Sequence, residues 1–302
     1  MSDIQSLNNQ HFDKTAQDYD SIPQVKEMTQ RASEVIVDEF VASTSEEHVK
    51  NASVLDFGCG TGLCAFQIAP KVKQVLGADA SEGMLQHLNH KLETDAENAS
   101  IRDKIKTVNH LVTKETPLPE AESSLYLSGP EGGFDMIFSN YVMHHIEDVQ
   151  GIVDTLANNL LKRNGWLIIM DFEGEHHHHH HHHEGGEGHG HHGEHEHHEH
   201  HEHHEHHEHH EHHGEHEHHE HHGHHGEGHA GQDIHKHFVD EDGKPLAYVA
   251  HKGGFTPEGF TEIFKKAGLV DVSAKHSFGM DREANGRKFW TDVLVIKGRR
   301  AL

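Results

Sequence analysis

Cysteine is scarce. Cys59 and Cys64 are the two in 302 residues, and they stand five positions apart in one local segment. A disulfide framework needs more cysteines, spread more widely, so the fold must rest on an apolar core. No run of 18 apolar residues occurs and no apolar stretch follows Met1, which leaves no spanning helix or leader pattern to read. These absences predict a cytosolic protein, with the nucleus left open. Basic side chains are also few, 25 against 51 acidic ones. Binding to nucleic-acid phosphate relies on Lys and Arg, so an acidic chain disfavours that partner.

What is abundant is histidine, 43 residues, and most of it sits in one place. Residues 176–229 hold 32 His, 13 Glu and 9 Gly. The stretch opens with eight consecutive histidines, His176 to His183, and continues as a His-His-Glu repeat from His197 to His213. Without it, 248 residues remain, with 25 basic and 51 − 13 = 38 acidic side chains, a net of −13 against −26 for the whole chain. Half of the formal charge therefore belongs to the tract. Such a composition cannot bury a core, so residues 173–232 are expected to be a disordered insertion. The 248 other residues suffice for one domain, in two parts at 1–172 and 233–302.

Both parts alternate between helical and extended patterns. In "PQVKEMTQRASEVIVDEF", Val25, Met28, Ala32, Val35, Ile36 and Phe40 recur at helical spacing. Short apolar strands follow in "ASVLDF", "KQVLGAD", "KIKTVNHLVT", "FDMIFSN" and "WLIIMDFE". Helices lie between them: one stops near Pro70, one is capped by Ser81, and one in "VQGIVDTLANNLLKRNG" ends at Gly165. After the tract come a helix from Thr256 to Gly268 and two closing strands, "LVDVSAKHSF" and "KFWTDVLVIKG". Uninterrupted apolar strands alternating with helices predict an α/β fold, a parallel sheet covered on both faces.

The segment richest in chemistry is "VLDFGCGTG". Gly58, Gly60 and Gly62 alternate where an apolar strand turns into a helix, with Asp56 two residues ahead of the first. Glycine permits the sharp turn, and the free N–H groups of the next helix face any ligand there. Asp79 ends the second strand, 17 residues after Gly62, where an acid can accept both ribose hydroxyl hydrogens. The G-x-G-x-G spacing differs from the G-x-G-x-x-G of dinucleotide enzymes.

With these motifs the chain resembles the class I S-adenosylmethionine-dependent methyltransferases. "VLDFGCGTG" resembles their first motif, "GADASEGML" their second, "FDMIFSNYVMHHIED" the fourth-strand motif and "LLKRNGWLIIMDFE" the entry to the fifth strand. "FDKTAQDYD" resembles the N-terminal lid of small-molecule members. The resemblance implies a Rossmann-like, doubly wound seven-stranded sheet whose last strand is antiparallel, with S-adenosylmethionine as cofactor. It implies a cofactor site at Asp56, Gly58, Cys59, Gly60, Gly62, Asp79, Ala80, Met84 and Asn140, with Met84 near adenine and Tyr19 over the methionine end. The acid that often follows the third strand is absent from "VNHLVTKETPLP", so Asn109, His110 or a backbone group takes its place, with His110 the assigned residue.

Ligands of open α/β sheets bind beyond the carboxyl ends of the strands, which selects Asn140, Tyr141, His144 and His145, and brings His251 and Phe255 in from the same side. His144 or His145 is a candidate base, because imidazole titrates near neutrality. The lid and the lack of a separate recognition domain favour a small-molecule acceptor. A protein acceptor and a metal-buffering protein on a methyltransferase scaffold are the alternatives. Oligomeric state is left open. Neutral imidazole binds Zn, Ni and Cu, so the tract, including His197, His198, His200, His201, His203 and His204, is a degenerate candidate for loose metal binding. Both cysteines stand in or beside the cofactor turn, which argues against a thiolate-bound metalloid as acceptor.

Overall fold

The computed structural model describes residues 3–130, 132–174, 238–240, 242–284 and 286–302. The His/Glu/Gly tract, with every residue named in it above, lies outside the described residues. Residues 1–176 and 231–302 belong to one compact unit.

Helices α1 (Asp3–Tyr19), α2 (Val25–Ser43) and α3 (Glu46–Asn51) precede the first strand. The sheet then builds as β1 (Ser53–Phe57), α4 (Leu63–Ile68), β2 (Gln74–Asp79), α5 (Glu82–Thr94), β3 (Ile105–Asn109), α6 (Glu120–Tyr126), β4 (Phe134–Asn140), α7 (Val149–Thr155) and β5 (Leu161–Phe172). Helix α8 (Pro257–Lys266) and strands β6 (Leu269–Ala284) and β7 (Arg287–Arg300) close the fold. The seven strands run in the order β3-β2-β1-β4-β5-β7-β6. All neighbours are parallel except β7, which is antiparallel to both β5 and β6. This is the doubly wound sheet with an antiparallel last strand that the resemblance implies.

Strand alternation explains why helices cover both faces. Met136 and Phe138 of β4, with Ile168 and Met170 of β5, face one way and pack with Ile36 and Phe40 of α2, Ile68 of α4 and Leu88 of α5. Ile137, Leu167 and Ile169 face the other way and pack with Val153 and Leu156 near α7 and with Phe260 and Phe264 of α8. Phe138, Phe260 and Phe264 are fully buried, and cutting back any of them to Ala would cost about 3–5 kcal/mol.

Local caps act where the sequence places them. Ser81 Oγ accepts from Met84 N at 3.1 Å and Thr256 Oγ1 accepts from Gly259 N at 3.1 Å. Some boundaries differ from expectation. The helix at α7 does not reach Gly165: it loosens into a π-helical turn at Leu156–Leu160, and Leu161 already pairs with Phe134 in the sheet. The third strand stops at Asn109, because His110 N turns back to Asp79 O at 2.9 Å. The sheet also runs past residue 172. Glu173 N donates to Asp292 O and Gly174 N to Phe255 O, so these two residues belong to the fold rather than to an insertion. Finally, β6 and β7 are longer than their apolar cores. Pairing with β5 ends at Phe172–Val293, and the hairpin from Gly279 to Asp292 overhangs the carboxyl end of β5.

Candidate active site

β1 pairs with β2 on one side and β4 on the other, so the chain reverses direction of sheet growth beside β1. Such a switch point opens a crevice at the carboxyl ends of the strands. A pocket of about 120 Å³ lies there, walled by the glycine turn, the end of β2 and the β4–α7 connection. Gly58, Gly60, Asp79, Ala80, Met84, His110, Asn140 and Tyr19 all line it. Asp56, Cys59 and Gly62 do not; they support it from beneath. Cys59 Sγ packs where a side chain on Gly77 would stand, and Gly62 lies against Leu88 and Phe66. Burial pushes both thiols well up, which makes them poor nucleophiles.

The glycine turn has two different spatial requirements. Gly58 has φ +74°, and a Cβ there would meet Val142 Cγ2 at 2.4 Å. Gly60 has φ +52°, and a Cβ there would meet no atom within 4 Å. One glycine is required by a neighbouring side chain; the other faces open space in the pocket.

Asp79 is fixed at the rim by two backbone donors. Its Oδ2 accepts from Gly60 N at 2.8 Å and its Oδ1 from Ser81 N at 2.8 Å. Burial raises its pKa, while these N–H bonds oppose the rise. Asp56 is 1% exposed, and its Oδ2 has no hydrogen-bond partner among the described residues. Burial pushes its pKa well up, and the nearby Asp79 charge adds to that. Asn140 Oδ1 is a second buried acceptor without a partner. His110 reaches the rim with its Nε2 held 2.7 Å from Thr116 O, whereas Asn109 instead donates to Asp79 O at 3.1 Å.

The lid helix α1 is tied to this pocket by two acids. Asp13 Oδ1 accepts from Ser81 Oγ at 2.7 Å and from Gly83 N at 3.0 Å, at the start of α5. Asp20 binds Thr61 Oγ1 of the glycine turn and Lys91 Nζ of α5, each at 2.5 Å.

A second cavity of about 450 Å³ adjoins the first, with Phe12, Tyr19, Tyr141 and His145 on the walls of both. Its other walls include Met28, His144, Phe172, Phe238, Tyr248 and Arg282. His144 is buried, and its Nδ1 lies 2.8 Å from Asp171 Oδ1. Asp171 is fully buried and also accepts from His144 N at 3.2 Å and Phe172 N at 2.7 Å. The two backbone N–H groups and His144 Nδ1 thus converge on one carboxylate, which fixes the orientation of the imidazole ring. His145 Nδ1 donates to Tyr248 O at 3.1 Å. Burial, then the neighbouring His144, hold the His145 pKa well below the usual imidazole range. Tyr141 has φ +58°, a strained backbone for a non-glycine residue, of the sort that clusters at functional sites. His251 and Phe255 line neither cavity. No cluster of three or more His, Cys, Asp or Glu side chains able to hold a metal occurs among the described residues.

Sequence reading missed Asp13, Asp20, Asp171 and Arg282. Asp171 had a readable signal, an acid inside the apolar run "WLIIMDF", where a buried carboxylate needs a partner. Arg282 had none, because its place depends on the hairpin overhang.

The strand order, the glycine turn and the acid at the end of β2 define a class I S-adenosylmethionine-dependent methyltransferase fold. The chain belongs to the family described as a methyltransferase domain, whose model matches residues 28–223. Similar proteins include an uncharacterized methyltransferase of Schizosaccharomyces pombe, 32% identical over 124 residues, which are 39% of this chain and 38% of that protein. The uncharacterized methyltransferase YcgJ of Bacillus subtilis is 31% identical over 118 residues, 39% of this chain and 40% of its own length. The ubiquinone biosynthesis O-methyltransferase of Pelagibacter ubique is 25% identical over 136 residues, 45% of this chain and 48% of its own length. The chain thus spans half or less of the curated relatives it matches here. Among solved structures, a chain in the complex between the Haloferax volcanii Trm112 methyltransferase activator and a methyltransferase superposes with a TM-score of 0.51 at 13% identity, covering 96% of this chain and 98% of that one. That likeness concerns the fold. No helix among the described residues is long and apolar enough to cross a membrane.

Proposed function

We propose that this chain transfers the methyl group of S-adenosylmethionine to a small-molecule acceptor. The observation that carries the reading is the pair of adjoining cavities, one at the glycine turn and one beside it, with four side chains common to both walls. The residues of the smaller pocket fit the cofactor. Gly60 leaves space where a side chain would stand, Asp79 can still accept from ribose hydroxyls through its remaining lone pairs, and Asn140 Oδ1 and Asp56 Oδ2 are acceptors without donors. When bound, S-adenosylmethionine supplies a methyl on a sulfonium, whose C–S bond breaks as the acceptor's nucleophile takes the carbon and the electron pair stays on sulfur.

The protein's share of this chemistry is alignment, which can provide much of the acceleration. Phe12 and Tyr19 of α1, with Tyr141 and His145 after β4, line the junction. A nucleophile that arrives protonated needs a base. His144, with Nδ1 bound to Asp171 and Nε2 free to accept, suits that role better than His145, whose burial keeps it neutral and whose ring is held by Tyr248 O.

In this reading the catalytic domain comprises 1–172 and 233–302, joined by Glu173 and Gly174, and the remainder of 173–232 is an insertion in its sequence. The imidazoles of the insertion bind Zn, Ni or Cu at many interchangeable sites, an idea that rests on their density in the sequence.

Calorimetric titration of the metal-stripped chain with S-adenosylhomocysteine tests the proposal. Saturable one-to-one binding that disappears in Asp79→Ala is the expected result. Absence of binding by folded wild-type protein would refute it.

A further inference from the structure

The larger cavity contains a cation with no counterion among the described residues. Arg282 lies on the overhanging part of β6, mostly buried, with its guanidinium 5.2 Å from the Phe172 ring centroid and 5.7 Å from that of Phe289. The Arg282 side chain forms no hydrogen bond or ion pair among the described residues, and its buried Nε lacks a partner. The contrast with Arg31 is informative: that side chain also stacks on a ring, Phe278, but it donates to Gly279 O at 3.3 Å. The only carboxylate among the described residues lining the cavity is Asp240, and its Oδ1 accepts from Lys244 N at 2.8 Å. The Tyr141 hydroxyl, on the wall of the same cavity, is buried and has no hydrogen-bond partner. Burial raises the Tyr141 pKa while the Arg282 charge opposes the rise, which puts the phenol in the field of the guanidinium.

A neutral ligand filling the cavity would shut this guanidinium off from water without giving it an anion, which is costly. A carboxylate would satisfy it in bidentate fashion and give the Tyr141 hydroxyl an acceptor. No lysine and no further arginine lines the cavity among the described residues, so the charge suits a monoanion better than a phosphate dianion. The remaining walls, Phe12, Met28, Phe172, Phe238, Leu246 and Tyr248, call for an apolar or aromatic body, and about 450 Å³ admits one of a ring or two.

We infer that the methyl acceptor is a small apolar or aromatic carboxylic acid, anchored through its carboxylate by Arg282. The inference rests on the methyltransferase reading. Arg282 lines the larger cavity and not the pocket at the glycine turn, which assigns it to the acceptor and not to the carboxylate of the cofactor.

The test uses the full chain loaded with S-adenosylhomocysteine and titrated with 3-phenylpropanoate and, separately, with 3-phenylpropanamide, its neutral isostere. The acid is expected to bind about tenfold or more tightly than the amide, as befits hydrogen bonds to a charged group. Arg282→Met is expected to erase that preference and Arg282→Lys to retain part of it, with circular dichroism showing both variants folded. Equal binding of acid and amide, no binding of the acid at millimolar concentration, or a preference that survives Arg282→Met would overturn the inference. So would a matching loss of S-adenosylhomocysteine affinity in Arg282→Met, which would give the guanidinium to the cofactor. Failure of the wild-type chain to bind S-adenosylhomocysteine would instead remove the methyltransferase reading itself.

Discussion

Gly58 and Gly60 stand two residues apart, yet substitution should damage the protein in two different ways. In Gly58→Ala the new Cβ would lie 2.4 Å from Val142 Cγ2 and 2.8 Å from Cγ1 at a left-handed φ of +74°. The backbone conformation costs an L-residue about 1–2 kcal/mol and the overlap about 1–3 kcal/mol more, for a loss of about 2–5 kcal/mol. In Gly60→Ala the overlap is absent, so only the backbone cost of about 1–2 kcal/mol remains. That methyl group projects into the pocket, however, and the same overlap energy now falls on the ligand. Affinity for S-adenosylhomocysteine should drop by about 5- to 150-fold. Urea unfolding gives the stabilities, and titration calorimetry of each folded variant gives the affinities. The double variant Gly58→Ala with Val142→Ala isolates the overlap, and a double-mutant cycle should return a favourable coupling of about 1–3 kcal/mol. Equal destabilisation by the two alanines, or zero coupling in the cycle, would refute this account of the turn.

Three further outcomes are expected. His145 has a folded-state pKa below its unfolded value of about 6.5, so the unfolded chain binds its proton first. Its contribution to stability is whole above that pH and is lost as pH falls below it, and urea unfolding from pH 8 to pH 5.5 should show a shallower fall in His145→Gln than in wild type. Asp171→Asn replaces a buried acceptor of three hydrogen bonds with an amide that cannot accept them all, and thermal and urea unfolding should report a loss of about 1–3 kcal/mol. Deletion of residues 176–229 should abolish retention on nickel-charged resin while leaving S-adenosylhomocysteine affinity unchanged; a changed affinity would tie the tract to the pocket.

Much of the sheet was legible because strand and helix periods are local properties. The runs "VLDF", "VLGAD" and "LIIMDF" announce buried strands, and Ser81 and Thr256 announce helix starts without reference to anything distant. The pocket at the glycine turn was legible for a related reason, since its residues fall at the ends of consecutive strands. Helix α3 was less so: Ser45 caps it through His48 N, but six residues are too few to show a period. Leu161 gave a misleading signal. It continues the apolar helical spacing of "TLANNLL" and yet pairs in the sheet, because pairing with Phe134 overrides local preference. The cavity proposed for the acceptor was legible only where it follows the fourth strand, at Tyr141, His144 and His145. Arg282, Phe238 and Tyr248 come from segments far apart in the chain, and only the overhanging hairpin and the segment after the tract bring them to one cavity.

The wall common to the two cavities gives the protein a thermodynamic property that neither cavity has alone. Phe12, Tyr19, Tyr141 and His145 touch whatever lies on either side of them. A first ligand that orders those four side chains relieves the second of doing so, and the second then binds more tightly. Linkage makes the effect reciprocal: the factor by which a filled glycine-turn pocket strengthens the hold on the acceptor is the factor by which the acceptor strengthens the hold on the cofactor. In the proposed reaction the spent cofactor and the methylated product would touch the same four side chains and form a coupled pair of their own, so departure of one would loosen the other.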